Sequence, residues 1–265
     1  MKITALTSFC VDVFPEMEKI YVGGNSFNFA AQCNLLGYED IVAIGAIGKD
    51  KYGKLINNQF DKLKINRSNL YQIDAPTASN KIFVNENGDR YFKEDSWNGG
   101  AFNKFRLSEK DWKLLADSNI VAMPAGDPNL EELLKRRNKN QLIVIDFLDY
   151  LEIDFIKRYI DNIDIVFLSG KEEVLDELKE LAFQKGKLIV PTLGAKGSLA
   201  FFNNRRYFQK AIKVDKIIDT TGCGDAFQAA FSIAWVKTKD ISKSLKAGSI
   251  AARNVLNFRG GVKQE

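Results

Sequence analysis

Short apolar runs alternate with longer amphipathic stretches along most of this chain. Residues 40–47, 120–123, 142–146 and 163–169 are apolar enough to be strands buried on both faces of a sheet. Between such runs the apolar positions recur with a helical period, as they do in residues 52–63. Strands that alternate with helices are typical of a parallel sheet with helices packed against it. The pattern therefore predicts an α/β fold.

A second type of pattern occupies residues 78–98. Two β-type runs, at 82–84 and 91–92, flank a polar turn, which predicts a hairpin. Because two strands alone are only marginally stable, the hairpin needs a partner, and we expect residues 20–22 to supply it. This part of the chain is therefore predicted to form a small sheet of its own.

The first β-type run spans residues 3–13 and predicts a strand that delivers Asp12 just past its end. Ligands of open α/β sheets bind outside the carboxyl ends of the strands. Asp12 is thus well placed to contact a ligand. The alternative is a turn aspartate that precedes Pro15.

The richest stretch for chemistry is D-T-T-G-C-G-D at residues 219–225, between a β-type run at 211–218 and a helix-like run at 226–236. A glycine-flanked loop before a helix exposes backbone N–H groups at the positive end of the helix dipole, where phosphate oxygens bind. Gly222 and Gly224 allow a close approach because they have no Cβ. The stretch predicts an anion site.

Asp225 places a negative charge beside this predicted anion site, which suits proton abstraction better than simple phosphate binding. The chain contains no histidine, so a carboxylate must serve as any general base of this kind. The alternative is an aspartate that caps the helix. The loop alone does not decide between the two.

Composition narrows the functional classes. The 265 residues are 45% hydrophobic and 27% charged, as in ordinary globular proteins, and the net charge of +4 is spread along the chain. No basic run is long enough to suggest a nucleic-acid or membrane surface. The three cysteines are odd in number and lack metal-ligand spacing, and no signal peptide or membrane-spanning run is evident. We therefore expect a cytoplasmic protein.

Two motifs resemble the signatures of the PfkB/ribokinase family of carbohydrate and nucleoside kinases. The stretch 219–225 resembles the family's D-T-x-G-A-G-D, and G-G-N-S-F-N-F-A at 23–30 matches G-G-N-x-x-N-x-A. The likeness extends over essentially the whole chain. It implies a single ribokinase-like domain over residues 1–265, a three-layer α/β/α fold with a mostly parallel central sheet, and lid strands within 12–24 and 78–98.

The resemblance also implies an ATP-dependent kinase. Asp225 would be the base that deprotonates the acceptor hydroxyl, while Gly222, Cys223 and Gly224 would stabilise the transferring phosphoryl group. Cys223 stands where the family commonly has alanine. It is either a small replacement or a thiol made reactive by the helix N-terminus.

Sugar binding is implied for the first motif and the strand before it. Asp12, Gly24, Asn25 and Asn28 would hold the acceptor, because the two amides lie three positions apart at a helix start and can bond to hydroxyls. A small β-sheet lid would exclude water. We also expect this lid to be the contact of a homodimer.

The nucleotide side is implied by a further segment. T-L-G-A-K-G at 192–197 resembles a family loop that lies against the nucleotide, which would make Thr192, Gly194, Lys196 and Gly197 ATP-binding residues. Alone, this segment predicts a hairpin turn.

The metal site is implied by the segment that follows residues 163–168. The family commonly has N-x-x-E where this chain has Ser169 and Glu172, so Glu172 would organise Mg²⁺. Its alternative role is a first-turn acid of the following helix. Some relatives hold a monovalent cation such as K⁺ in the region that corresponds to Asp219 and residues 260–261.

The acceptor is suggested by residues 10–15 and 23–25, which look most like the branch of the family that acts on fructosamines, with fructoselysine phosphorylated at the 6-position. Fructokinase, ribokinase and nucleoside kinase activities remain open, since pocket shape decides among them. A non-catalytic sugar or nucleotide sensor on the same fold also remains open.

Overall fold

The structure is a computed structural model, and it describes residues 1–84, 90–91 and 93–264. In chain order its strands are β1 (Ile3–Leu6), β2 (Cys10–Phe14), β3 (Lys19–Gly23), β4 (Ile41–Gly48), β5 (Asn66–Ile73), β6 (Ser79–Lys81), β7 (Phe83–Val84), β8 (Arg90–Tyr91), β9 (Trp97–Asn98), β10 (Ile120–Pro124), β11 (Leu142–Asp146), β12 (Ile165–Ser169), β13 (Leu188–Thr192), β14 (Ser198–Phe202) and β15 (Arg205–Gln209). Its helices are α1 (Asn25–Leu35), α2 (Lys51–Lys62), α3 (Gly100–Lys104), α4 (Glu109–Ala116), α5 (Leu130–Arg136), α6 (Ile153–Tyr159), α7 (Leu175–Lys185), α8 (Cys223–Thr238) and α9 (Ile241–Val255).

A nine-stranded sheet with the order β15-β14-β13-β12-β11-β10-β1-β4-β5 forms the centre of the molecule. The pairs from β5 to β13 are parallel, and only β14 and β15 run antiparallel to their neighbours. The strands predicted from the apolar runs at residues 40–47, 120–123, 142–146 and 163–169 lie in this sheet as β4, β10, β11 and β12. The predicted mostly parallel α/β fold is thus confirmed.

Helices cover both faces of the sheet, and the alternation of side chains along each strand separates two cores. Ala122 of β10 belongs to a core that includes residues of α1, α2, α8 and α9, whereas its neighbour Val121 belongs to a core that includes residues of α4, α5, α6 and α7. Burial on both faces explains why these strands are continuously apolar. The result is a three-layer α/β/α domain.

A second, four-stranded sheet has the order β3-β2-β6-β9 and contains strands from both predicted lid segments, so we refer to it as the lid. Its role as a cover stays a prediction. The predicted hairpin is present as β7 and β8, which pair with each other, while its turn at residues 85–89 and Phe92 lie outside the described residues. The predicted partner, residues 20–22, was wrong: β3 pairs with β2, and β2 pairs with β6.

The predicted first strand is broken at Thr7. This residue has a φ of 74°, and β1 ends before it at Leu6. The chain then leaves the central sheet and enters the lid as β2, which carries Asp12 in its middle. The expectation that Asp12 follows the end of a central strand is therefore wrong, and Asp12 lies on the lid.

The β-type run at residues 211–218 is not a strand. These residues follow β15 as irregular chain, and Ile217 and Ile218 are 56% and 44% exposed rather than buried in a sheet. Apolar side chains are usually buried against other parts of the protein, and here Ile217 lines a cleft instead of a core.

In the described part of the chain, no helix is long and apolar enough to cross a membrane.

Candidate active site

The N-terminus of α8 is built by a glycine with a left-handed conformation. Gly222 has a φ of 75°, and a Cβ there would lie 2.3 Å from the Cα of Gly261. The chain can therefore turn into the helix at Cys223 only with glycine at this position. The first N–H groups of α8 precede any intrahelical acceptor, and the N–H of Cys223 donates to the carbonyl oxygen of Thr220 at 3.3 Å.

Asp225 lies in the first turn of α8 and is held by two amides from α1. Asn25 Nδ2 donates to Asp225 Oδ1 at 2.7 Å, and Asn28 Nδ2 donates to Asp225 Oδ2 at 2.8 Å. Each carboxylate oxygen thus has its own donor. The two sequence motifs, almost 200 residues apart, meet at this one carboxyl group.

The environment of Asp225 favours its protonated form. Burial raises the pKa of this carboxyl to about 8, and the negative charges of Asp146 and Asp12 add to the effect, although the bonds from Asn28 and Asn25 oppose it. A carboxylate with a raised pKa is a stronger base. The geometry and the electrostatics both suit proton abstraction near neutral pH.

Asp146 is a site residue that the sequence analysis missed. It is the last residue of β11, and its Oδ2 accepts from Asn25 Nδ2 at 2.7 Å, so one amide group bridges Asp146 and Asp225. Gln228 and the backbone N–H of Leu148 also donate to it. Burial raises the pKa of Asp146 to about 6. The sequence feature that could have revealed Asp146 is its place at the end of a buried apolar strand, because ligands of such sheets bind at the carboxyl ends of the strands.

The lid contributes Asp12, which is buried beside the turn that joins β3 to α1. A Cβ on Gly23 would lie 2.5 Å from Asp12 Oδ2, and a Cβ on Gly24 would lie 2.4 Å from the carbonyl oxygen of Ser8. Gly24 also has a φ of 98°. Glycines are therefore required here for the chain to pass the carboxylate and start the helix.

The predicted sugar ligands thus form one cluster with the base. Asn25 and Asn28 use their Nδ2 groups to hold Asp225, and Asn28 Oδ1 is a buried atom without a hydrogen-bond partner. Their immediate structural role is to fix the carboxylate. Contact with a sugar through the amide oxygens stays a prediction.

A cleft of about 510 Å³ opens next to the N-terminus of α8. One wall is the irregular segment 210–217, and the opposite side comes from α8 and α9. Of the predicted site residues, the cleft is lined by Thr192, Gly194, Gly197, Cys223 and Gly224. The predicted nucleotide loop and the predicted anion site therefore border one space.

Lys196 does not line this cleft. Its Nζ forms an ion pair with Glu172 Oε1 at 2.6 Å, and both side chains are about two-thirds exposed. The pair lowers the pKa of Glu172 and raises that of Lys196. Among the residues that the structure describes, no group of three or more His, Cys, Asp or Glu is arranged to hold a metal ion. A metal role for Glu172 stays a prediction.

Asp219 joins the α8 loop to the C-terminal segment. Its Oδ1 accepts from the backbone N–H of Thr221 at 2.9 Å, and its Oδ2 accepts from the N–H of Gly260 at 3.0 Å. Farther along, Gln264 bonds to both the N–H and the carbonyl group of Val22 in β3. The segment thus connects the anion loop to the lid. The monovalent cation expected here stays a prediction.

The chain is similar to known proteins over most of its length. Residues 15–262 match the profile described as pfkB family carbohydrate kinase. Fructoselysine 6-kinase of Escherichia coli is 25% identical over 256 residues, which cover 95% of either chain. A fructosamine kinase of Bacillus subtilis is 28% identical over 266 residues, which cover 98% of this chain and 92% of the relative.

Solved structures share the fold. The ribokinase of Arabidopsis thaliana, in complex with ribose and ATP, superposes with a TM-score of 0.81 at 21% identity and covers 98% of this chain and 93% of that one. The nucleoside kinase of Methanocaldococcus jannaschii gives a TM-score of 0.78 at 24% identity, with the same coverage. The three-layer domain with its small second sheet is therefore a known class of fold.

Proposed function

Because the chain belongs to the pfkB family of carbohydrate kinases, we propose that it transfers the γ-phosphoryl group of ATP to a hydroxyl of a sugar-type acceptor. The favoured acceptor is fructoselysine or a related fructosamine, phosphorylated at the 6-position. The observation that carries the chemistry is the buried Asp225 carboxylate at the start of α8, next to the cleft. The names of two relatives, a fructoselysine 6-kinase and a fructosamine kinase, support the acceptor.

In the proposed reaction Asp225 takes the proton of the acceptor hydroxyl while the hydroxyl oxygen bonds to the γ-phosphorus. The bond from that phosphorus to the bridging oxygen of ATP breaks, and ADP leaves with the electron pair. The N–H groups at Gly222, Cys223 and Gly224 would stabilise the charge on the phosphoryl oxygens. The raised pKa of Asp225 suits this task, since a stronger base takes a hydroxyl proton more readily.

The cleft beside α8 would hold ATP. Thr192, Gly194 and Gly197 lie on the wall formed by the β13 loop, where they would contact the nucleotide. Ala252 and Ser249 of α9 are small lining residues that leave room for a flat ring. Lys196, at the end of the same loop, would approach the phosphates once it leaves Glu172.

Kinases of this type use Mg²⁺ to neutralise the charge of the phosphates. An ion held mainly by phosphate oxygens and water needs only one or two protein carboxylates, so the exposed Glu172 beside Lys196 fits that role. We place the protein in the cytoplasm, where ATP is abundant, and its three free cysteines agree with a reducing compartment.

The acceptor would lie between the lid and the Asp225 cluster. Asp12, Gly24 and the amide oxygens of Asn25 and Asn28 would bond to its hydroxyls, and the amide oxygen of Asn28 has no hydrogen-bond partner within the protein. We also propose that the lid forms a homodimer contact, which the exposed Ile20 and Trp97 support. Light scattering that gives the mass of one chain would contradict this contact.

Release of ADP with a panel of acceptors tests the proposal. Fructoselysine, fructose, ribose and adenosine are each supplied with ATP and Mg²⁺, and a reaction without acceptor measures background hydrolysis. We expect kcat/KM to be highest for fructoselysine, with a 6-phosphate as the product. A tenfold preference for another acceptor would contradict the fructosamine assignment.

A result without ADP release from any acceptor would contradict kinase activity altogether. Ser169, an exposed residue in the position where the family commonly has asparagine, is the one feature that favours a sensor. Calorimetry with ATP and with each sugar would then show whether the protein binds these ligands without turnover.

A further inference from the structure

The side chains that hydrogen-bond around Asp225 include a second buried carboxylate, which the proposed reaction does not use. Asp146 is 5% exposed at the end of β11, and it shares the Asn25 amide group with Asp225. The Nδ2 atom of Asn25 lies 2.7 Å from an oxygen of each carboxylate, so its two hydrogens are directed at two different acids. Asn25 therefore cannot rotate without losing one of these bonds.

Asp146 is itself fixed from two sides. The N–H of Leu148 donates to Oδ1 at 2.9 Å, and Gln228, which lies on α8 one turn after Asp225, donates through its side chain. The carboxylate thus links the end of a central strand to the starts of α1 and α8. Burying a charge without a cation partner is costly, so a purely structural role would be filled better by an amide.

We propose that Asp146 is the positioning residue of this site: through Asn25 it fixes the orientation of the Asp225 carboxylate, and as a second buried negative charge it makes Asp225 a stronger base. The proposal rests on the kinase function proposed above. Asp146 acts through Asn25 and through its charge, and it does not contact the acceptor.

The charge effect has a defined sign. Like charges disfavour each other's ionisation, and Asp146 is the second-largest cause, after burial, of the raised pKa of Asp225. Among the residues that the structure describes, Asp12 and Cys10 of β2 are the other ionisable groups that face Asp225. Cys10 is neutral because burial, Asp12 and Asp225 raise the pKa of its thiol well above the usual value. Asp146 and Asp12 are therefore the charges that act on the base.

Asp146→Asn tests the proposal because it removes the charge and keeps the size. The acidic limb of the kcat/KM profile, which reports the base in the free enzyme, is expected to move to lower pH by about one unit. The plateau at high pH is expected to fall by about tenfold, because an amide offers one acceptor oxygen where the carboxylate offers two, one to Asn25 and one to the N–H of Leu148. A limb that stays at the wild-type pH would overturn the proposal.

Asn25→Ala is expected to shift the acidic limb in the direction opposite to the shift in Asp146→Asn. It removes a hydrogen bond that favours the charged form of Asp225 and leaves the charge of Asp146 in place. The acidic limb should therefore move to higher pH. Shifts of the same direction in both variants would contradict the bridge between the two carboxylates.

Asp127→Asn is the matched control. Asp127 is also a buried carboxyl with a raised pKa, after the adjacent strand β10, but it bonds to Thr7 and Asn129 and not to Asn25. Its replacement should leave the acidic limb of the kcat/KM profile at the wild-type pH.

The two proposals can fail separately. If the wild-type protein phosphorylates no acceptor, the function proposal fails. If it is active and Asp146→Asn leaves the pH profile unchanged, only the role of Asp146 fails.

The pH dependence of thermal stability gives a readout that needs no turnover. Removal of Asp146 lowers the pKa of Asp225 in the folded state, so folded and unfolded chains differ less in bound protons. Between about pH 7 and 9, above the range in which Asp146 itself ionises, the decline of the melting temperature with pH should be shallower in Asp146→Asn than in wild type. An equal or steeper decline would overturn the electrostatic half of the proposal.

Discussion

The two glycines on either side of Cys223 meet different physical demands. Gly222 has a positive φ and touches the backbone of Gly261, so the turn itself requires glycine. Gly224 has an ordinary helical conformation, and a Cβ there would find its nearest atom, Gln228 Nε2, only at 4.0 Å. The fold does not need a glycine at 224. Open space beside the cleft, where phosphate oxygens would approach the N–H groups, explains it instead.

Gly224→Ala should therefore separate function from folding. We expect the melting temperature to stay the same or rise slightly, since alanine is favoured over glycine in a helix by roughly 1 kcal/mol. The added methyl group should lower kcat/KM for ATP by about tenfold or more, as measured by ADP release. Gly222→Ala is the control, and it should lower both quantities. Wild-type activity in Gly224→Ala would show that phosphate does not approach this turn.

At this scale the sequence singled out Asp225, the proposed base, and the two asparagines whose amides hold it, because all three lie inside short motifs. Asp146 was missed for a physical reason. Its partner Asn25 lies 121 positions away, and only the sheet order brings β11 beside the start of α1. Glu172 and Lys196 were assigned separate roles, and the structure pairs them.

Helices α8 and α9 form one wall of the cleft, and their contact depends on a missing side chain. A Cβ on Gly248 of α9 would lie 2.7 Å from ring atoms of Phe227 in α8. That ring cannot move freely, since it stacks on Phe231 and meets Phe167 edge to face. Phe227 also lines the cleft. The close approach of the two helices thus shapes the cleft in which we propose that ATP binds.

Gly248→Ala should separate these helices slightly. Overpacking of this kind costs about 1–3 kcal/mol, so the melting temperature should fall and the KM for ATP should rise because Phe227 is displaced. Thermal denaturation and steady-state kinetics measure the two effects. Ile250→Ala, at a 43% exposed position on the same helix, is the control and should change neither. A stable Gly248→Ala protein would mean that the helices adjust without cost.

The elements predicted correctly include strands that are buried on both faces in the central sheet. Strands such as β10 and β11 are apolar on both faces, a pattern that is typical of the interior of a parallel sheet. The wrong predictions concern segments at the cleft and the lid. Residues 3–13 are uniformly β-like, yet they divide between two sheets at Thr7. Apolar side chains within residues 211–218, such as Ile212, Val214 and Ile217, line the cleft instead of a sheet core. Periodicity indicates burial, but it does not identify the partner.

Several buried carboxyl groups collect at the ligand edge of the molecule. Burial raises the pKa of Asp127 to about 7, that of Asp146 to about 6 and that of Asp225 to about 8. These pKa values exceed those of the same groups in the unfolded chain. At pH values between the unfolded and the folded pKa, the folded protein therefore binds more protons than the unfolded chain. Each group contributes stability at pH values below about 4, and this contribution is lost as the pH rises through the folded-state value. The fold therefore loses stability toward alkaline pH.

Asp127→Asn isolates one of these groups. The amide can keep the bonds to Thr7 and Asn129 while it removes the ionisation. The melting temperature of the variant, relative to wild type, should rise as the pH increases from 5 to 8 and level off above, since only wild type must ionise a buried acid. Calorimetric scans at several pH values measure this difference. A difference that is constant or shrinks with pH would contradict the raised pKa.

The central claim is that the Asp225 carboxylate removes the acceptor proton, and Asp225→Asn tests it most directly. The variant keeps the shape of the side chain at a buried position, so the melting temperature and the affinity for ATP, measured by calorimetry, should remain close to wild type. Turnover with the preferred acceptor should fall by about 10³-fold, the range for loss of a general base. Turnover within about tenfold of wild type would contradict the account, because the carboxylate would then not be the base.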